Sequence, residues 1–218
     1  MVDFEALSLC ATFLLEIPDV QAMNFNDMVT ACPKERTEPT LMFKTNSLLP
    51  CLDTYPPMSP TRVLVPQRVW TPAGLLQPGS STRFNDHITF DLHDAPAGLG
   101  IPVLDMACRG DLGIWMQKAD DPIGFLVDVI RVRLIWPGYE HVDFVRAIPV
   151  TRKTTFGQLA LRVTQTILTY LSEIRTVRPS TASWRVGPGA IQDDHLYLVS
   201  LFPVNSNTFQ TVLHVRRR

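Results

Sequence analysis

The chain has 218 residues, of which 45% are hydrophobic and 19% charged. That is enough apolar material for a sizeable core, and it excludes a chain disordered throughout, which would be poor in apolar residues and rich in one sign of charge. Twenty basic residues against 21 acidic ones leave a formal net charge of −1, so no global field gathers nucleic acid or anionic membrane.

Prolines divide the sequence. Ten of the 18 precede residue 80, and each removes a backbone donor and fixes φ, so long regular structure is interrupted there. Two short helices are predicted between them. Residues 4–16 place Phe4, Leu7, Leu14 and the adjoining Ile17 on one side, and residues 19–31 do the same with Val20, Met23 and Met28. From Pro33 to Ser81 the pattern predicts loops and one strand, Arg62 to Val65. The apolar residues left there (Leu48, Leu49, Leu64, Val65, Trp70, Leu75 and Leu76) need a surface to lie on. Residues 1–83 are therefore read as a proline-rich, partly helical N-terminal extension, and 84–218 as the core domain.

In residues 86–94 Ile88, Phe90 and Leu92 alternate with His87, Thr89, Asp91 and His93, the period of a half-buried strand. A short helix comes next, with Pro102 in its first turn and Gly110 at its end. Ile130, Val132, Leu134 and Trp136 then share one face of a strand, with Arg131 and Arg133 on the other. Pro137-Gly138 turns the chain, and residues 142–150 return. Thr155 and Gln158 form a capping box. Behind it Phe156, Leu159, Ala160, Val163, Ile167, Leu171 and Ile174 recur at helical spacing, with Arg162, Gln165, Thr166, Thr169 and Glu173 opposite. The nearly continuous apolar run 195–204, the turn residues Asn205-Ser206-Asn207 and residues 209–215 complete a second hairpin. Hairpin, long helix, hairpin (ββαββ) is an α+β fold, and a β-grasp-like sheet with its last strand beside its first is one arrangement that fits.

Chemical motifs weaken when their spacing is tested. His87 and His93 share a strand face but are six residues, about 20 Å, apart, far beyond what one metal ion spans. Asp91 with His93 leaves two ligands in want of a third, and a solvated strand face explains both. Cys108 beside Arg109 has the cationic neighbour that activates a thiol, yet no signature surrounds it. Asp120-Asp121-Pro122 and Asp193-Asp194 lie in turns, where carboxylates cap or solvate. No GxSxG, Walker or dinucleotide fingerprint occurs. No catalytic residue, no metal ligand and no cofactor is therefore expected. Two basic features remain, Arg131 and Arg133 with Arg146 joining them across the hairpin, and Arg216, Arg217 and Arg218 at the end of the sequence. Together they offer a patch for an acidic partner or RNA, and charges that protect an exposed sheet face explain them equally simply. Cys10, Cys32, Cys51 and Cys108 have no regular spacing and are expected to be reduced thiols. Asp3 and Glu5 stand where a secretory signal carries basic residues, and the apolar run 7–15 is shorter than the ~20 residues of a membrane span. A cytoplasmic or nuclear protein, not secreted and without a membrane partner, is expected.

Residues 98–215 resemble a set of uncharacterised basidiomycete fungal proteins. The likeness is carried by Gly100-Ile101-Pro102-Val103-Leu104-Asp105, Asp120-Asp121-Pro122, Leu134-Ile135-Trp136-Pro137-Gly138-Tyr139, Thr155-Phe156-Gly157-Gln158-Leu159-Ala160 and the closing segment 196–213. The resemblance implies a lineage and transfers no site.

Three functional readings are open, in descending order. The first is a non-enzymatic protein-interaction module that meets a protein partner or a second copy of itself as a homodimer. The second is a small enzyme with a pocket near Asp91, His93 and Cys108. The third is nucleic-acid binding through Arg131 and Arg133, which the balanced net charge disfavours.

Overall fold

The computed structural model describes residues 61–70, 87–108 and 115–216. The chain divides into two units, Met1–Thr45 and Asn46–Arg218, and all described residues belong to the second. The predicted helices at 4–16 and 19–31 lie outside them.

The second unit is an α+β structure built on one mixed sheet. Its strands are β1 (Arg62–Leu64), β2 (Ile88–Thr89), β3 (Ile101–Pro102), β4 (Val129–Leu134), β5 (Phe144–Pro149), β6 (Leu196–Pro203) and β7 (Thr208–Arg216). The helices are α1 (Val103–Cys108) and α2 (Phe156–Ile174). The strand order is β2-β6-β7-β4-β5, with β1 on β7 and β3 on β6. Two antiparallel hairpins, β4–β5 and β6–β7, meet through the parallel pairing of β4 with β7. The last strand thus lies beside the first strand of the ββαββ core, the arrangement of a β-grasp sheet. Along that edge of β7, Thr208–Gln210 pair with β4, while His214–Arg216 pair with β1.

Helix α2 starts as its sequence dictates. The Thr155 side chain accepts from the Gln158 N–H, and the Gln158 side chain accepts from the Thr155 N–H, so two donors that no helical carbonyl reaches are satisfied. Leu159, Ala160, Val163, Ile167, Leu171 and Ile174 are all buried, with Tyr170 among them. They close one core with Ile130, Val132 and Leu134 of β4, Phe144 and Ile148 of β5, and Phe209 and Leu213 of β7. One expectation for the helix is corrected. Thr166, assigned to the solvent face, is buried, and its hydroxyl donates to the Arg162 carbonyl one turn back, which lets a threonine sit in an apolar contact.

The reverse face of the β6–β7 hairpin is also covered. Every residue of β6 up to Phe202 and of β7 up to Val215 is buried, so a run read as nearly continuous in apolar residues is a strand pair enclosed on both sides. Val199, Phe202 and Val212 form a second cluster there, against Leu64 and Val69. Residues 61–70 are the cover. β1 adds a short antiparallel strand, and two glutamines fix the residues after it. Gln67 Nε2 donates to the Thr211 carbonyl at 2.9 Å. Gln210 Nε2 donates to the Arg68 carbonyl, and its Oε1 accepts from the Trp70 N–H at 3.0 Å. Part of the surplus apolar material in the proline-rich segment therefore lies on its own chain; Leu48, Leu49, Leu75 and Leu76 fall outside the described residues.

Two glycines are needed where they stand. Gly100 has φ +71° just before β3, and a Cβ there would sit 2.4 Å from the Leu198 carbonyl oxygen of β6, so no side chain fits this approach. Gly138, at φ +84°, makes the predicted Pro-Gly turn, and its carbonyl accepts from the Ser180 N–H at 2.7 Å.

Ile167 is fully buried at the centre of the α2 stripe. Ile167→Ala is expected to lower the unfolding free energy by about 2–5 kcal/mol through lost burial and a residual cavity. Thr169→Ala, on the exposed side of the same helix, should change it by less than about 0.5 kcal/mol. Urea titrations of the two variants read the difference.

Candidate functional site

The residues singled out for enzyme chemistry do not assemble into a site. Asp91 is half-buried, and its Oδ1 accepts from the Gly98 N–H at 2.7 Å, so this carboxylate closes the loop that leads to Gly100. His93 is exposed in a turn, and its backbone N–H donates to the Trp115 carbonyl. His87 lies over Phe202 with ring centroids 6.1 Å apart. Among the described residues no group of three or more His, Cys, Asp or Glu could hold a metal ion.

Cys108 corrects the sequence reading. It is disulfide-bonded, so it is not the reduced thiol expected, and in this state it is no nucleophile. The other three cysteines fall outside the described residues. Regular spacing is the wrong signal, because pairing depends on which segments tertiary structure brings together. No helix among the described residues is long and apolar enough to cross a membrane.

Arg131 and Arg133 share the outer face of β4, as their alternation with Ile130 and Val132 requires. Arg146 does not join them. It stands directly opposite Val132, and opposed residues of an antiparallel pair point to the same side. Arg146 therefore lies on the helix side, where it pairs with Glu173 of α2 at 3.7 Å. Arg133 is itself engaged: it pairs with Asp143, and its guanidinium lies 4.3 Å from the Trp70 ring centre, a cation–π contact. The anticipated patch is thus reduced to Arg131 with neutralised neighbours.

What the outer face of β4–β5 does offer is apolar. Whereas residues 61–70 lie over β6–β7, Val129 and Val145 remain 39% and 37% exposed, and Ala147 and Pro149 are exposed beside them. Val129 opposes Pro149, Arg131 opposes Ala147, and Arg133 opposes Val145, so all six residues share this face. Among the described residues β5 pairs with β4 alone, which leaves its other edge as a template for a further strand.

Polar groups buried inside the unit are structural where they have partners. Tyr170 accepts from the Trp136 N–H at 3.3 Å, and burial pushes its phenol well above the usual range. Trp136 donates from Nε1 to the Trp184 carbonyl at 2.8 Å. His214 of β7, directly opposite Leu64 of β1, is buried without a hydrogen-bond partner for Nδ1. Burial, with the Arg62 charge adding to it, pulls its imidazolium pKa down to about 4.

His195 is a buried group that spacing and periodicity do not single out. It closes a short 3₁₀ turn, Asp193–His195, just before β6. Its ring Nδ1 accepts from the Gln192 N–H at 3.3 Å, so the neutral ring carries its proton on Nε2. Asp194 Oδ1 lies 3.6 Å from that nitrogen. The arrangement does not make a catalytic base: the lone pair that would take a proton is already used on a backbone N–H. The only hint in the sequence is that His195 directly succeeds two aspartates.

No family model, no curated protein and no solved structure matches this chain. The site is accordingly defined by the chain's own geometry.

Cys108 and His214 each lend themselves to a direct test. Alkylation of the native protein without reductant should leave a pair of thiols unlabelled, restored on reduction; intact mass reads the difference, and four labelled cysteines would contradict the disulfide. The folded-state pKa of His214 lies below the ordinary 6.5, so the unfolded chain takes up the proton first. The contribution of the neutral ring is fully present above pH 6.5 and is lost as pH falls towards 4, a loss of about 3 kcal/mol in all. Unfolding free energies across that range should fall less steeply in His214→Phe than in the parent.

Proposed function

We propose that this chain is a non-enzymatic protein-interaction module, and that the edge and outer face of the β4–β5 hairpin form its contact surface. The observation that carries the reading is the contrast between the two hairpins. β6–β7 is buried on both faces, while β4–β5 keeps two valines more than one-third exposed around Arg131. A sheet edge with apolar residues beside it is the element that protein partners extend by adding a strand.

The occupant we assign is a second copy of the chain. Two β5 strands meeting antiparallel across a twofold axis would join their sheets and cover Val145 and Ala147 of both copies with one self-complementary contact. Against the enzyme reading stand the Asp91 turn and the Cys108 disulfide. Against the nucleic-acid reading stand the Asp143 and Trp70 partners of Arg133.

Sedimentation equilibrium over a wide range of concentrations tests this. The parent protein should show a monomer–dimer equilibrium, and Val145→Asp should be monomeric with an unchanged unfolding midpoint, because the position is exposed in the single chain. A parent that stays monomeric, or a Val145→Asp variant that dimerises as the parent does, would overturn the assignment.

A further inference from the structure

Away from the hairpin, the loop between α2 and β6 encloses a groove. A cavity of about 530 Å³ is lined by Ser183, Trp184, Ile191, His195, Val215 and Arg216, among others. A second, of about 490 Å³, adjoins it and shares Ser183, Gly189, Ala190 and Ile191, with Arg185 added. Volumes of this order suit a small organic molecule. The walls are held by backbone bonds: Gly187 N–H to the Ile191 carbonyl at 2.8 Å, Ile191 N–H to the Arg185 carbonyl at 3.1 Å, and Val186 N–H to the Tyr139 hydroxyl at 3.3 Å. The loop is therefore shaped before any ligand arrives, which lowers the ordering cost of binding.

A separate observation points to what the groove takes. His195 is 6% exposed, and its Nε2 has no hydrogen-bond acceptor. With Nδ1 taken by Gln192, Nε2 is a donor, and a buried donor without an acceptor costs free energy that a ligand acceptor would recover. Asp194 Oδ1, at 3.6 Å, is beyond hydrogen-bond reach and does not line the groove. Among the described residues, the charged side chains lining the two cavities are Arg216 and Arg185, and none of the lining residues is acidic. Arg62 stands directly across from Arg216 on β1 and adds a second positive charge to that end of the sheet. Trp184, Ile191 and Val215 supply apolar wall.

From the buried donor, the one-signed charge and the apolar wall together, we infer that this groove binds a small organic carboxylate with an apolar body. The carboxylate accepts from His195 Nε2 and pairs with the Arg216 guanidinium. The body lies against Trp184, Ile191 and Val215. Guanidinium is the side chain best shaped for a carboxylate, and the tryptophan provides the largest apolar contact. The groove and the hairpin contact lie on different elements, so either can hold without the other.

The test uses the full chain and three probes, phenylacetate, 4-phenylbutyrate and octanoate, each beside its neutral amide. Ring ¹⁵N and ¹H shifts of His195 and isothermal titration are the readouts. At least one carboxylate should shift the His195 ring signals and bind roughly tenfold or more tightly than its amide, the factor expected of a charge-assisted hydrogen bond. Arg216→Gln alters an exposed side chain and should weaken binding by about the same factor without changing the unfolding midpoint. His195→Gln should weaken binding of the carboxylate and of its amide alike, because a neutral N–H donates to either, and should leave the preference that Arg216 confers. No binding by any probe at millimolar concentration would overturn the assignment, as would equal affinity for amide and carboxylate or an affinity untouched by Arg216→Gln. If His195→Gln fails to fold, Arg216→Gln and the amide comparison still decide.

Discussion

The structure depends on β6 and β7 being enclosed from both sides. A two-stranded ribbon with Leu196, Leu198 and Leu201 on one face and Val199, Phe202 and Val212 on the other cannot stand in water, because burying either face alone leaves the second as an apolar patch. One cover is the helical layer, with α2 on β4 and β5 and α1 beside β6. The other is residues 61–70. This segment forms only one three-residue strand of its own and has little independent stability. It is held because Gln67 and Gln210 satisfy backbone groups that would otherwise be buried without partners.

The same constraint explains where the molecule is open. With β7 paired to β6 on one edge and to β4 and β1 on the other, its hydrogen bonds are used. The sheet's remaining capacity for pairing lies at its margins, and β5 is the longest margin among the described strands. Charged side chains at such a margin normally discourage sticking. Here Arg133 is drawn onto Asp143 and Trp70, and Arg146 lies on the helix side with Glu173, so the hairpin's outer face presents two valines, an alanine, a proline and Arg131. The loop at 182–192 is open for a different reason. It is built from turns around Gly187 and Gly189, both at positive φ, and fills its interior incompletely.

Much of the candidate surface is legible in the sequence. Alternation places Arg131 and Arg133 opposite Ile130 and Val132 correctly, because side-chain direction along a strand is a local property. Alternation misplaces Arg146, because its side depends on the register between β4 and β5, which the turn sets and periodicity does not reveal. Asp91 and His93 look like ligands because two residue types stand near each other in sequence; the loop-closing hydrogen bond from the Gly98 N–H uses the carboxylate instead. Cys108 misleads for a related reason, since its bond is a non-local contact with no spacing rule.

The sequence by itself determined the elements. The capping box at Thr155 and Gln158, the helical stripe through Ile167, the Pro137-Gly138 turn and the two hairpins are dictated by bonds and packing within a few residues, where propensity and periodicity act. Tertiary structure alone decided the rest: the parallel seam of β4 and β7, the side taken by Arg146, the cover given by residues 61–70, and the burial of His195 without an acceptor. Each of these joins residues distant in the chain, and their energies come from surfaces that exist only once the sheet has closed.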